Sequence, residues 1–147
     1  MTDDEANGWI AAAREIIEES TGLALITQVW SMTLDRWPAT REEWWDGWRQ
    51  GDISELHGTP GVMELPRYPL QDVDDVTVYD EGSNATAVVV ADTFDIDTYS
   101  TPGRMALKYG ATWPVALRPT NAILIEYTAG YGDDATDVPA PLRLAVK

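Results

Sequence analysis

Asn121-Ala122-Ile123-Leu124-Ile125-Glu126-Tyr127-Thr128-Ala129-Gly130-Tyr131-Gly132 reads as a strand over Ile123 to Thr128 that runs into a turn. Branched and aromatic residues suit a pleated, half-buried backbone, and the two glycines supply the positive φ that a tight turn asks for. A second phrase stands earlier in the chain, Leu65-Pro66-Arg67-Tyr68-Pro69-Leu70. Neither phrase places a nucleophile, a general base or a metal ligand, so both read as architecture. Gly130-Tyr131-Gly132 is no phosphate loop either, because it lacks the lysine and the helix start such loops need.

Around these phrases the pattern is mainly that of strands. Trp30, Met32 and Leu34 alternate with Ser31, Thr33 and Asp35, the period of a strand with one buried face. Val76 to Tyr79 and Ala87 to Val90 flank Asp80-Glu81-Gly82-Ser83-Asn84, which predicts a hairpin. Further strands are expected at Phe94 to Tyr99 and Arg104 to Tyr109. The middle of the chain is therefore a mostly antiparallel sheet.

Helices are expected at the two ends. Ala6, Trp9, Ile10, Ala13, Ile16 and Ile17 recur at three- and four-residue spacings, Thr2 and Glu5 have capping-box spacing, and Gly22 suits a left-handed helix end. Thr136-Asp137-Val138-Pro139 places an N-cap candidate ahead of a proline, and Leu142, Ala145 and Val146 then begin an apolar stripe. The expected fold is α+β, one domain over 1–147: helical 1–22, β-rich 23–136, and the start of a C-terminal helix at 137–147. Within it, 38–60 reads as a long tryptophan-rich loop.

Composition narrows the function. With no cysteine, there is no disulfide framework, thiolate metal site or cysteine nucleophile. No apolar run approaches a membrane span, and the acidic start is unlike a signal peptide, so a soluble, non-secreted protein without membrane contact is expected. Lys and Arg number 10 against 25 Asp and Glu, a formal net charge of −15. Affinity for nucleic acid comes mainly from cations that neutralise phosphates, so tight DNA binding is not expected. The acidity serves either plain solubility or a surface past which DNA slides without adhering.

Residues that could carry chemistry form no complete set. Asp92, Asp95 and Asp97 lie close together but lack the glycine and the distal glutamate of an EF-hand at the required offsets. His57 is the sole histidine and has no nucleophile elbow beside it. No catalytic residue, metal or cofactor is assigned. Trp44, Trp45 and Trp48 could anchor a neighbouring subunit or hold their own loop down; tryptophan serves both ends.

Together with Ala11-Ala12-Ala13-Arg14, Thr21-Gly22-Leu23-Ala24-Leu25-Ile26-Thr27-Gln28-Val29-Trp30, Leu34-Asp35-Arg36-Trp37-Pro38, Trp113-Pro114 and Val138-Pro139, the two phrases resemble the head-tail connector family of tailed double-stranded DNA phages and gene transfer agents. These are also called adaptor or head-completion proteins. The order of these elements, more than any one of them, carries the resemblance. It departs from the family in three places: the short helix usual before the first one, the long C-terminal helix and tail, and a segment Arg41 to Pro60 longer than in many members.

The resemblance implies a non-enzymatic structural virion protein at the head-tail interface, made in the host bacterial cytoplasm. Its subunits would form a ring, commonly dodecameric, beneath the portal protein, extending the DNA channel and docking the stopper or tail-completion protein. Trp44, Trp45, Trp48, Leu142 and Val146 are the candidate subunit or partner contacts. Two acidic clusters read as turns, Asp72, Asp74 and Asp75 and then Asp133, Asp134 and Asp137, are the candidate channel-facing charges. The alternative from another class is a β-rich carbohydrate-binding module using Trp44, Trp45, Trp48 or Trp113.

Overall fold

A computed structural model describes residues 2–37 and 61–146. The tryptophan-rich loop expected at 38–60, with Trp44, Trp45, Trp48 and His57, lies outside the described residues. The first helix, α1 (Asp3–Thr21), starts where its capping box sits. The Thr2 hydroxyl accepts from the Glu5 amide, and the Glu5 carboxylate accepts from the Thr2 amide at 2.8 Å. Gly22 closes the helix in the left-handed conformation, its amide donating to the Glu18 carbonyl.

The chain then turns into β1 (Gln28–Leu34), with Trp30, Met32 and Leu34 inward as their alternation predicts. The remaining strands are β2 (Val62–Glu64), β3 (Leu70–Tyr79), β4 (Ala85–Val88), β5 (Phe94–Asp97), β6 (Arg104–Leu107) and β7 (Ile123–Ala129). They make two antiparallel sheets where the sequence suggested one, a four-stranded sheet ordered β1-β7-β3-β4 and a three-stranded sheet ordered β2-β6-β5. Leu65, Met105 and Phe94 pack with Val76, Ile123, Ile125 and Tyr127 in one core between them. The α+β class holds, with helices at both ends of a β-rich middle.

Three local readings change. Val90, expected to end a strand, instead opens the one-turn helix α2 (Val90–Thr93) that feeds β5. The last helix, α3 (Ala140–Val146), begins after Pro139 and not at an Asp137 or Thr136 cap; the Pro139 carbonyl takes the first helical bonds, from Leu142 and Arg143. Asp72, Asp74 and Asp75 lie on a strand, not in a turn. β3 carries two bulges against β7, between Leu70 and Asp72 and between Val73 and Asp75. Each bulge sets two residues against one, so the buried positions fall at Leu70, Val73, Val76 and Val78. That spacing hid the strand from a period-two reading.

The β5–β6 connection is tied by Asp97. Its carboxylate accepts from the Ser100 hydroxyl at 2.6 Å and from the Arg104 guanidinium at 2.6 Å. These bonds favour the ionised form and hold its pKa well below the ordinary value of 3.8. A depressed carboxyl pKa contributes stability that is present above the unfolded pKa and lost as pH falls through the folded one. Asp97→Asn is therefore expected to lower the unfolding midpoint at pH 7. The deficit should shrink once pH drops below about 4, which paired denaturant titrations at several pH values would measure.

Candidate assembly interface

The segments Leu65 to Leu70 and Asn121 to Gly132 meet in space, at the root of α1. The Ala24 amide donates to the Tyr68 carbonyl at 2.8 Å, Tyr68 returns a bond to Gly22, and the Tyr68 hydroxyl donates to the Thr21 carbonyl. The Gly130 amide donates to the Pro69 carbonyl at 2.8 Å, and the Thr27 amide to the Gly132 carbonyl at 3.0 Å. Their role is thus to clamp a helix to a sheet. Gly130 has φ 141°, and a Cβ there would lie 2.6 Å from the Thr27 nitrogen.

Glu18 is the one buried charged residue among those described. One of its carboxylate oxygens accepts from the Leu25 amide and from the Gln28 side chain, both at 2.8 Å. Arg67 donates to the Glu18 carbonyl at 2.7 Å and lies over the Trp30 ring, 4.4 Å from its centroid. A cleft of about 290 Å³ lies here, lined in part by Arg14, Glu18, Trp30 and Arg67. The buried phenol of Tyr127, the residue paired with Trp30 across β1 and β7, has its pKa raised by burial, an effect that Arg67 opposes. The inward side of α1 is therefore mixed, with Arg14 and the buried Glu18 beside half-buried Ala13 and Ile17.

Glu18→Ala leaves the buried Leu25 amide without an acceptor. A stranded buried donor costs about 1–3 kcal/mol, so a loss of about 2 kcal/mol is expected. Amide exchange should rise first at Leu25 and the end of α1, and later in β7. Uniform exchange across the molecule would contradict a local anchoring role for Glu18.

Of its apolar stripe, α1 half-buries Ala6, Ala13 and Ile17 and leaves the rest out. Trp9 is 73% exposed and Ile16 67%, and Ile10 is also exposed. Trp9 and Ile16 are two turns apart and share a face. The helix packs against α3, where the sequence-expected contact residues Leu142 and Val146 are half-buried, Ala145 is exposed and Leu144 is 70% exposed. The helix pair thus leaves an uncovered apolar surface.

The acidic candidates fall at one end of the four-stranded sheet. Leu70 pairs with Ala129, so the first half of β3 and the turn after β7 are neighbours. Asp72 and Asp74 are exposed and Asp75 is partly covered. Asp74 accepts from the Thr128 hydroxyl at 2.7 Å. Asp133, Asp134 and Asp137 are exposed, with the Asp137 carboxylate accepting from the Asp134 amide at 3.1 Å.

Among the described residues no group of three or more His, Asp or Glu side chains is arranged to hold a metal, and no helix is long and apolar enough to cross a membrane. Trp113, the described member of the tryptophan set considered for sugar stacking, lies half-buried against Trp37, ring centroids 4.6 Å apart. Sequence reasoning missed a second exposed apolar group, Tyr109, Val115 and Leu117. Its signal lay in charge: no acidic residue occurs between Asp97 and Glu126.

No protein-family model matches the chain, and no curated protein does. Solved structures do match. A chain described as the neck of a native gene transfer agent (GTA) particle, computed with C12 symmetry, superposes with a TM-score of 0.71 at 22% identity, over 95% of this chain and 63% of that one. A chain from the neck of an empty GTA particle, computed with C6 symmetry, gives 0.73 at 23% identity over 99% and 64%. One from the virion of a native GTA particle gives 0.73 at 21% over 99% and 63%. These likenesses establish a shared fold. The chain spans less than two thirds of the length of the chains it matches.

Proposed function

We propose that this protein is a structural subunit of the neck of a phage-like particle, a head-tail connector that acts by packing and not by catalysis. The observation that carries this reading is the match of nearly the whole chain, 95–99% of it, to neck and virion chains. The uncovered apolar surface of α1 and α3 supports it, since monomeric proteins seldom expose such patches without use. In this reading copies form a ring, dodecameric by analogy with the C12 neck, below the portal protein. The ring extends the DNA channel, docks the stopper or tail-completion protein, and resides in the virion after synthesis in the host cytoplasm. Trp44, Trp45, Trp48, Leu142 and Val146 are proposed subunit or partner contacts. Negative-stain imaging and light scattering of the purified protein, alone and with its cognate portal ring, test the reading. Rings or portal-bound complexes are expected, and a monomer under both conditions would sink it.

The acidity fits the same role. Asp72, Asp74 and Asp75, with Asp133, Asp134 and Asp137 at the same end of the sheet, are proposed to line the DNA path, where ring symmetry multiplies each charge. The repulsion acts over about 8 Å at physiological salt. The isolated protein should show no measurable DNA affinity even at low ionic strength, where adventitious binding is strongest. Reversing Asp72 and Asp74 to lysine should slow genome ejection or disturb packaging while the subunit stays folded. Normal infectivity after reversal at both clusters would return the acidity to plain solubility.

A further inference from the structure

Among the exposed apolar residues described, two groups sit in surroundings of different charge. The helix patch is Trp9, Ile10 and Ile16 on α1, bordered by the exposed carboxylates of Asp4, Glu5, Glu15 and Glu19. The loop patch is Tyr109, Val115 and Leu117, of which Val115 is 72% exposed. It lies in the stretch 98–125, which contains Arg104, Lys108 and Arg118 and no acidic residue, in a chain of net charge −15. Lys108 and Arg118 flank the patch. The two patches also attach at opposite ends of β3. α1 is rooted at the Leu70 end through Tyr68, Pro69 and Gly130, whereas the Leu117 and Arg118 amides donate to the carbonyl of Tyr79, the last residue of the strand. Ten residues of strand separate those ends by about 30 Å.

A closed ring with cyclic symmetry requires two different surfaces on every subunit, because a head-to-tail contact joins unlike patches, while a self-complementary patch stops at a dimer. We propose that the helix patch of one copy is covered by the loop patch of the next, so that Trp9, Ile10 and Ile16 meet Tyr109, Val115 and Leu117 of a second copy of this chain. This inference rests on the ring reading above and specifies its contact. The pairing sets an acidic rim on a basic one, an arrangement that steers association and fixes register. It also places at the contact the longest acid-free stretch of an acidic chain.

The lack of native cysteine makes the contact directly testable. Ile16→Cys, Val115→Cys and the double variant are treated with a short flexible bis-maleimide under conditions where the wild-type chain assembles. The double variant should give a ladder of covalent oligomers. An equimolar mixture of the single variants should stop at a dimer, and each single variant alone should stay uncrosslinked. In parallel, Trp9→Gln with Ile16→Gln, and Val115→Gln with Leu117→Gln, should keep the wild-type melting temperature because all four positions are exposed. Each pair should weaken association by about thirtyfold, the effect of losing an anchor residue. Ile16→Cys crosslinking to itself, or both glutamine pairs assembling as wild type does, overturns the head-to-tail contact and leaves the ring reading standing. A wild-type chain that never assembles, with or without portal, removes both.

Discussion

Gly130→Ala is expected to cost about 4 kcal/mol of folding stability or more, the range reserved for substitutions that break the backbone plan. Alanine at φ 141° is already strained. Its Cβ would also overlap the Ile26 carbonyl and sit 2.6 Å from the Thr27 nitrogen. Neither neighbour is a flexible side chain that can swing aside. Both belong to the segment that links α1 to β1, and the Gly130 amide bonds Pro69 on the other side, so relief in one direction breaks the clamp in the other. Gly110→Ala is the control. It too has positive φ, 79°, but nothing lies within 4 Å of its Cβ, and the cost there should be about 1 kcal/mol. Urea midpoints of the two variants compared with wild type separate steric overlap from backbone preference. Equal losses at both positions would refute the clamp.

Phe94→Ala should cost about 3–5 kcal/mol. Phe94 is 2% exposed at the start of β5 and packs against both members of the stacked tryptophan pair, 5.8 Å from Trp37 and 5.7 Å from Trp113 by centroid. The rings are tilted at 43° and 46°, geometries that favour aromatic pairs beyond their area alone. Removing the ring opens a cavity between the two sheets that the tryptophans cannot refill, because Trp37 is held by its indole donating to the Pro114 carbonyl at 2.7 Å. Trp9→Ala, equally aromatic but 73% exposed, should change the stability of the monomer by no more than about 0.5 kcal/mol. A small loss for Phe94→Ala beside a large one for Trp9→Ala would invert this assignment of core and surface.

Several elements were legible because their cause is local. The Thr2–Glu5 capping box and Gly22 mark the ends of α1, since caps are satisfied within a few residues. The alternation at Trp30, Met32 and Leu34 marks β1, and the Asp80–Asn84 turn marks a hairpin whose flanks pair Val76 with Val88. The strand phrase at Ile123 to Thr128 becomes the centre of the four-stranded sheet, bonded on both sides. β2 escaped notice because three residues, Val62-Met63-Glu64, are too few to show a period. The first half of β3 escaped it for the opposite reason: its two bulges turn a period of two into spacings of three, which in a run holding Asp72, Asp74 and Asp75 resembles a polar turn.

By itself the sequence determined the α+β class, both ends of α1, the hairpin and the chain's charge, since each follows from residues adjacent along the chain. The resemblance of its ordered phrases to connectors pointed to the fold that the neck chains share. Only the tertiary structure decided that the strands divide into two sheets, that Asp72 and Asp74 stand on a strand beside Thr128, and that α1 turns Glu18 inward and Trp9 and Ile16 to solvent. The physical reason lies in Glu18. A helical stripe shows which residues share a face, but which face turns inward depends on partners far along the chain. Here a carboxylate that satisfies the Leu25 amide and Gln28, with Arg67 on the same turn's carbonyl, holds the Glu18 side of the helix in and leaves Trp9 and Ile16 in solvent.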